Sequence, residues 1–350
     1  MILNKYLKGL YIFNLMKYVS WVEKNRPNNL DEICYQEEVK EGLRNFIRNK
    51  NIPHLLFFGP SGSGKTSTIL ALAKELFGEH YRDRIKELNA SDERGINVVR
   101  EKIKNYALES INLTQTKNLS LPPWKIIILD EADNMTSESQ YALRRIMEEC
   151  SKITRFCIIC NYHHKIIDPI VSRCALFRFK PIPKLELKNQ LKLISKKEKL
   201  KCSISVINKI SDYSRGDLRK AINFLQRCYN CFGDEISSMI IDEISGIVEE
   251  SKLKKFINDC IANRENDVLE FLNFVYTSGY SLVNQILVLH NLVLENKKFT
   301  SEDKASIIIL LANIDQNLIK GCDELIQLYR LAYFIINRKK SNLKNYVQNN

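Results

Sequence analysis

Segments of strand length alternate with amphipathic segments between residues 54 and 179. These mostly apolar runs are HLLFF at 54–58, IKELNA at 85–90, KIIILD at 125–130, TRFCIIC at 154–160 and ALFRF at 175–179. Helical spacing of apolar positions fills intervals at about 65–77, 96–108 and 137–149. Because strands with few polar positions are buried on both faces, this order predicts a parallel sheet with helices on both sides.

The strand signal ends at residues 181–183 (PIP), and the rest of the chain has the spacing of helices. Residues 184–233 contain three helical patterns, divided near 201–203 and at 215–217. From about 250 to 338, further helical patterns have apolar faces wider than a solvent-facing helix needs. These faces pack either within one bundle or against other subunits. Residues 110–123 are polar and read as a surface insertion.

These patterns divide the chain into an α/β domain at 19–182, a helical lid at 183–247, a helical bundle at 248–340 and a frayed tail at 341–350. Residues 1–18 are apolar with scattered lysines and lack the small-residue cleavage site of a secretory signal. They also lack the arginine and serine of an organelle-targeting peptide. We expect a disordered or loosely docked extension, with Met16 as an alternative start.

The composition excludes a membrane-spanning or wholly disordered chain. Of 350 residues, 45% are hydrophobic and 27% charged, and the longest apolar run, about 307–312, is far shorter than the ~18 residues of a membrane span. The low numbers of prolines (8) and glycines (12) favour long helices over a loop-rich fold. A net charge of +12 favours a polyanionic partner such as nucleic acid, although a lysine-rich composition throughout would give the same excess.

The 10 cysteines indicate reduced thiols rather than a disulfide framework or a zinc site. Cys157 and Cys160 lie in a strand pattern, and Cys228 and Cys231 lie in a helical pattern, whereas metal-binding pairs usually lie on tight turns. The adjacent histidines at 163–164 point to different sides and do not form a metal pair.

Residues 59–66 (GPSGSGKT) fit the phosphate-binding pattern G-x-x-x-x-G-K-[ST] between a strand and a helix, where that motif functions. Its backbone N–H groups curl around phosphates, and the helix N-terminus adds partial positive charge. We expect Lys65 to reach the β- and γ-phosphates and the Thr66 hydroxyl to ligate Mg²⁺. The expected contacts in this loop are Gly59, Pro60, Ser61, Gly62, Ser63, Gly64, Lys65, Thr66 and Ser67.

Two carboxylates follow the strand KIIILD. A carboxylate at a strand tip beside a phosphate loop can hold Mg²⁺, which is the role expected for Asp130. Glu131 is placed to accept a proton from the attacking water. Together with the phosphate loop, these residues predict an ATPase.

The chain resembles the small subunits of replication factor C, the eukaryotic sliding-clamp loader, from residue 21 to about residue 227. The segments that carry the resemblance are IPHLLFFGPSGSGKTSTILALAKELFG, ELNASDERGINVVREKIKNYA, WKIIILDEADNMTSESQYALRRIMEE, TRFCIICNYHHKIIDPIVSRCALFRFKPIP and RGDLRKAINFLQ. The resemblance implies an α/β AAA+ P-loop ATPase domain with a helical lid, followed by an all-α C-terminal collar that joins five subunits into a ring.

The resemblance also implies roles at matching positions. Asn161 would position water against the γ-phosphate, and Arg219 on the lid would sense that phosphate. Arg173, in the motif Ser-Arg-Cys at 172–174, would act in trans on ATP bound by the neighbouring subunit.

The resemblance places DNA contacts at Arg94, Arg100 and Lys165, which would follow duplex phosphates without reading sequence. The segment WVEKNRP at 21–27 matches the family's adenine-side segment, so Val22 and Arg26 are expected to contact the nucleotide. This sequence departs from the family with Asn25 in place of an aromatic residue, and with Ser61 and Ser63 in place of proline and threonine. We expect these changes to alter affinity without abolishing hydrolysis.

The resemblance therefore implies a nuclear clamp-loader subunit that uses ATP and Mg²⁺ to open the sliding clamp and place it on primer–template DNA, together with four other subunits. A nucleotide-dependent scaffold with little hydrolysis is the alternative. Another AAA+ motor, such as a branch-migration ATPase, would need a winged-helix pattern after the lid, where this chain has a helical bundle.

Overall fold

The computed structural model describes residues 20–49, 51–90, 101, 103–109, 122–233, 236, 241 and 244–348, with side chains to residue 338. The chain divides into two compact units, Met1–Ile236 and Ser237–Asn350. This division lies ahead of the lid–bundle boundary expected at 247, and the domain limits drawn from the sequence stay a prediction. Among the described residues, no helix has the length and apolar character to cross a membrane.

The first unit is built on a five-stranded sheet. Its strands are β1 (His54–Phe58), β2 (Ile85–Asn89), β3 (Lys125–Asp130), β4 (Thr154–Cys160) and β5 (Cys174–Arg178). The strand order is β2-β3-β4-β1-β5, and every neighbouring pair is parallel. The predicted parallel sheet is confirmed, with β2 ending and β5 beginning one residue earlier than expected.

Helices cover both faces of this sheet. Alternate residues of β1 separate the two cores, because Leu55 and Phe57 pack in one hydrophobic cluster while Leu56 packs in the other. The first cluster includes Leu72 and the second includes Leu143, both buried helix residues. The described helices of this region are α1 (Trp21–Lys24), α2 (Glu37–Arg48), α3 (Lys65–Phe77), α4 (Tyr81–Arg84), α5 (Lys104–Leu108), α6 (Ser137–Glu149) and α7 (Asp168–Val171).

Three helices complete the first unit, as the sequence predicts: α8 (Lys184–Lys197), α9 (Ile204–Ser214) and α10 (Leu218–Phe232). Ser203 caps α9 by accepting a hydrogen bond from the Val206 N–H. The break before α10 is a turn in which Arg215 has a φ of 48° and Gly216 a φ of 86°. Asp217 then caps α10 by accepting from the Lys220 N–H.

The described elements of the second unit are helices: α11 (Glu250–Ile261), α12 (Glu265–Thr277), α13 (Leu282–Glu295), α14 (Ser301–Ile319) and α15 (Glu324–Gln348). Their apolar faces meet in one core that includes Phe256, Leu272, Leu289 and Ile314. Helix α15 continues to residue 348, into the tail expected at 341–350, and the sequence contains no glycine or proline after residue 321 that would end it.

Several predicted features lie outside the described residues. They are the extension at 1–18, most of the insertion at 110–123, and the part of the predicted helix at 96–108 that precedes residue 101. The described end of that helix is α5.

Candidate nucleotide-binding site

The phosphate loop connects β1 to α3 and takes its shape from glycines. Gly59 has a φ of 146°, and a Cβ there would overlap the backbone carbonyl of Phe179. Gly62 has a φ of 64°, in the left-handed region that other residues rarely adopt. Helix α3 begins directly afterwards at Lys65, so the unpaired N–H groups of its first turn lie at the end of the loop.

Lys65 is nearly buried and lies along the inside of the loop. Its Nζ donates to the carbonyl oxygens of Gly59 at 2.8 Å and Pro60 at 2.9 Å, and to Asn161 Oδ1 at 3.0 Å. Burial lowers the pKa of Lys65, and the Asp130 carboxylate opposes that shift. A phosphate bound at this ammonium group would supply the negative charge that the buried side chain lacks.

Thr66 and Asp130 join the start of α3 to the tip of β3. The Thr66 hydroxyl donates to Asp130 Oδ2 at 2.7 Å, and the Glu131 N–H donates to Asp130 Oδ1 at 2.8 Å. These oxygens are the ligand type that Mg²⁺ prefers. Among the described residues there is no group of three His, Cys, Asp or Glu side chains able to hold a metal. Such a donor set suits a cation that takes its other ligands from phosphate and water.

Glu131 stands in an unusual backbone conformation beside this pair. Its φ is 53°, and Asn134 Nδ2 donates to its Oε2 at 3.2 Å. The side chain is exposed and lines the same cavity as Lys65 and Thr66. A carboxylate oriented by an amide and open to water is suited to accept a proton.

Asn161 follows the last residue of β4, and β4 is the immediate neighbour of β1. Its hydrogen bond to Lys65 therefore links the end of β4 to the start of the helix that follows β1 and the phosphate loop. The preceding residue, Cys160, also lines the cavity. Burial, followed by the Asp133 charge, raises the pKa of Cys160 to about 12, so this thiol adds no negative charge near bound phosphate.

The cavity is lined from three directions. The loop supplies Ser61, Gly62, Gly64, Lys65, Thr66 and Ser67, and the strand ends supply Asp130, Glu131, Cys160 and Asn161. The remaining lining residues are Val22, Asn25, Arg26 and Pro27 near α1, and Leu218, Arg219 and Ile222 on α10.

Three predicted loop contacts do not line this cavity. Gly59 and Pro60 instead offer their carbonyl groups to Lys65, and Ser63 is buried with its hydroxyl donating to the Pro60 carbonyl at 2.7 Å. The sequence analysis did not assign five of the lining residues to the site: Asn25, Pro27, Cys160, Leu218 and Ile222. The spacing of Leu218 and Ile222 on one helical face around Arg219 was the available signal for two of them.

The segment around α1 is fixed to the lid helices. The Trp21 N–H donates to Gln226 Oε1 at 3.0 Å, and the Trp21 ring lies 5.3 Å from that of Tyr229. Asn25 stands where the family motif has an aromatic residue. Its Nδ2 donates to the Trp21 carbonyl at 3.1 Å and to Glu198 Oε1 at 3.3 Å. Its amide therefore has a structural task that an aromatic side chain would not perform.

Arg173 does not reach this cavity. It precedes β5, whose first residue pairs with His54 at the start of β1, so it lies at the end of the sheet opposite the phosphate loop. Its guanidinium pairs with Glu148 at 2.6 Å and donates to the Pro169 carbonyl at 2.7 Å. This position fits a residue that acts outside its own subunit's site.

Of the three predicted DNA contacts, Arg94 and Arg100 lie outside the described residues. Lys165 is exposed in a short turn after β4, with its Nζ 5.4 Å from the centre of the Tyr162 ring. In the same turn, the His163 ring packs against Phe58 at 4.7 Å.

Three family models match consecutive parts of the chain. Residues 35–183 match the model described as DNA polymerase III, delta subunit. Residues 189–229 match the RCF1/5-like AAA+ ATPase lid domain, and residues 248–333 match the replication factor C C-terminal domain.

Known relatives are similar over most of this chain and most of their own length. Replication factor C subunit 4 of Homo sapiens is 44% identical over 328 residues, covering 93% of this chain and 90% of the relative. Replication factor C subunit 2 of Saccharomyces cerevisiae is 43% identical over 320 residues, covering 89% and 91%. Among solved structures, the Thermotoga maritima RuvB Holliday junction branch migration motor shares the fold, with a TM-score of 0.50, 19% identity, and coverage of 69% of this chain and 80% of that one.

Proposed function

This chain belongs to the replication factor C family of AAA+ clamp-loader small subunits and serves sliding-clamp loading in DNA replication, and we propose that it binds and hydrolyses ATP at the cavity between the phosphate loop and α10. The fold is that of a nucleotide-binding AAA+ ATPase, and the relatives are subunits of a multi-subunit loader.

The observation that carries this proposal is that four chemically matched side chains, two at the start of α3 and two at the carboxyl ends of β3 and β4, meet at one place. Lys65 bonds to Asn161 at 3.0 Å, and Thr66 bonds to Asp130 at 2.7 Å. The first pair supplies a cation and an amide for the γ-phosphate and its attacking water. The second pair supplies the oxygen ligands for a divalent cation.

Each residue then has a distinct task. Lys65 binds the β- and γ-phosphates, and Asn161 orients the attacking water. Glu131 accepts a proton from that water. Thr66 and Asp130 would hold Mg²⁺, which would neutralise charge on the phosphates. Val22, Arg26 and Arg219 also line the cavity. Val22 and Arg26 would contact the adenine side of the nucleotide, and Arg219 would report the γ-phosphate from the lid.

Arg173 completes a neighbouring subunit's site rather than its own. Its place at the opposite end of the sheet from Lys65 supports this assignment, since both residues cannot serve one phosphate. In this structure Glu148 forms an ion pair with Arg173. In the assembly, the phosphates of ATP bound by the neighbouring subunit would replace Glu148 as the partner of the guanidinium. The full assembly would contain this chain with four other loader subunits in one ring.

The polyanionic partner favoured by the net charge of +12 is primer–template DNA. Lys165 is exposed for such a contact, and Arg94 and Arg100 would extend it along the duplex phosphates. Binding would be independent of sequence and would weaken steeply with salt. Opening of the sliding clamp, its placement on this DNA and a nuclear location complete the proposed role.

A Glu131→Gln variant in the assembled complex tests the proposal. Clamp- and DNA-stimulated ATP turnover is expected to fall about 100-fold or more at this site, because the base is lost while the charge-neutral amide keeps its size. Glu138→Gln, at an exposed position in the first turn of α6, is the matched control and should retain turnover. Single-turnover measurements with the other subunits' sites inactivated isolate this subunit.

If Glu131→Gln does not change ATP turnover, the catalytic assignment is wrong and this subunit is a nucleotide-dependent scaffold. Native mass spectrometry of the complex tests its composition. Four further AAA+ chains beside this one support the loader ring, whereas a hexamer of this chain alone favours a motor. The helical region matched by the replication factor C C-terminal model weighs against the motor.

A further inference from the structure

The start of α10 is fastened to the phosphate loop by contacts that none of the roles above uses. The Ser61 hydroxyl donates to Asp217 Oδ2 at 3.0 Å, and the Leu218 N–H donates to the Gly62 carbonyl at 3.2 Å. A Cβ at Gly62 would overlap the Asp217 carboxylate. The lid and the phosphate loop are therefore closely packed. A side-chain hydrogen bond joins them, between residues 156 positions apart in the sequence.

The two oxygens of Asp217 have different partners. Oδ1 accepts from the Lys220 N–H at 2.9 Å and so caps α10, which an aspartate at this position commonly does. Oδ2 accepts from Ser61 instead. Helix capping explains only the bond from Oδ1 to the Lys220 N–H, because capping needs no contact between Asp217 and the phosphate loop.

The opposite side of the same turn is also held. The Ile182 N–H donates to the Gly216 carbonyl at 3.2 Å, and a Cβ at Gly216, which has a φ of 86°, would lie 3.0 Å from the Ile182 carbonyl oxygen. The turn thus lies between the connection that enters the lid and the phosphate loop. Arg219, two residues after Asp217, lines the nucleotide cavity.

We propose that Ser61 and Asp217 form a positioning pair that fixes the distance of Arg219 from the γ-phosphate and thereby sets the preference of this subunit for ATP over ADP. The proposal rests on the proposed function, in which Arg219 senses the γ-phosphate. Any shift of the first turn of α10 moves Arg219 with it, because a helix turn is rigid over two residues. Ser61 is thus a specificity-determining residue although the phosphates need no hydroxyl at its position.

Isothermal titration of the full-length chain with ADP and with the slowly hydrolysed analogue ATPγS, both with Mg²⁺, tests the pair. Ser61→Ala removes the bond to Oδ2 and keeps the helix cap. It is expected to weaken ATPγS binding about 3- to 10-fold, the range of one hydrogen bond, and ADP binding less than about 2-fold. Ser61→Thr restores the hydroxyl and should recover the ATPγS affinity.

Two further variants separate positioning from general damage to the lid. Ser203→Ala removes a serine hydroxyl that caps the lid helix α9 and makes no contact with the phosphate loop, and both affinities should stay at the wild-type values. Arg219→Ala should reduce the ratio of ATPγS to ADP affinity. In the Arg219→Ala background, Ser61→Ala should not change this affinity ratio further, because Ser61 acts on the ratio only through the position of Arg219.

Equal losses for the two nucleotides in Ser61→Ala, or effects that add to those of Arg219→Ala, would overturn the pair while leaving the proposed function intact. A wild-type chain that binds neither nucleotide, or an Arg219→Ala ratio equal to that of wild type, would overturn the proposed function and the pair with it.

Discussion

His54, the first residue of the strand that leads to the phosphate loop, makes folding stability depend on pH. Its Nδ1 accepts a hydrogen bond from the Phe156 N–H at 3.1 Å, and the two rings lie 5.6 Å apart. Burial, followed by the positive charge of Arg155, lowers the pKa of His54 from 6.5 to about 4, with a backbone hydrogen bond at Met147 opposing part of the shift. The folded protein therefore holds this imidazole neutral.

The sign of the effect follows from where the proton binds. Below its ordinary pKa of 6.5 the imidazole takes up a proton in the unfolded chain, while the folded chain resists protonation down to a pKa of about 4. The stability that His54 contributes is thus complete above pH 6.5 and is lost as the pH falls towards about 4. At about 1.4 kcal/mol per pKa unit, the loss reaches about 2 kcal/mol at about pH 5 and about 3 kcal/mol below the folded pKa.

Urea unfolding of wild type and His54→Asn, at about pH 7.5 and about pH 5, measures this contribution. Asparagine does not titrate, and its Oδ1 can still accept from the Phe156 N–H. Groups that titrate in both proteins cancel in the comparison, so wild type should lose about 2 kcal/mol more than the variant between the two pH values. The fluorescence of Trp124, buried in the same unit, reports the transition.

His80→Asn, in the turn after α3, is the control for the removal of one imidazole and should keep the wild-type dependence on pH. Parallel losses of stability in wild type and His54→Asn would refute the reasoning, because His54 would then be as free to take up a proton in the folded protein as in the unfolded one.

Three other substitutions test the packing around the site and in the second unit. Gln226→Leu removes the acceptor of the Trp21 N–H in a buried position, so unfolding free energy should fall by about 1–3 kcal/mol, with a red shift of Trp21 fluorescence; an unchanged spectrum would contradict the contact. Lys199→Gly should raise the free energy of unfolding in urea by about 0.5–1 kcal/mol, because Lys199 has a φ of 59° that only glycine adopts without strain; a loss would show that its side chain outweighs that strain. Ile314→Ala should cost the second unit about 2–5 kcal/mol in thermal or urea unfolding, since that side chain is fully buried in its core, and a smaller loss would mean that the core closes around the cavity.

Patterns within short stretches of sequence were sufficient for most of the fold. The five strands are confirmed within one residue at their ends, because runs such as KIIILD bury every residue except the last. The lid helices α8, α9 and α10 follow the predicted divisions, since Ser203 and Asp217 are local capping signals. The sequence did not indicate where α15 ends, because a polar segment without glycine or proline does not by itself show whether a helix stops.

The phosphate loop and the carboxylates after β3 were also found from sequence, because spacing of residues within one turn fixes their chemistry. Their partners were assigned differently. The roles of Asn161, Arg173 and Arg219 came from resemblance to a family, and each is a single polar residue that no local pattern distinguishes from a surface position.

The sequence by itself determined which segments become strands and helices and which loop can bind phosphate, since apolar periodicity, capping and turn residues act over a few positions. Only the tertiary structure decided that Thr66 meets Asp130, that Lys65 meets Asn161 and that Ser61 meets Asp217. These pairs depend on the strand order β2-β3-β4-β1-β5 and on the docking of α10 against the loop. Packing of the whole unit selects that order, and contacts between residues far apart in the chain leave no periodic trace in the sequence.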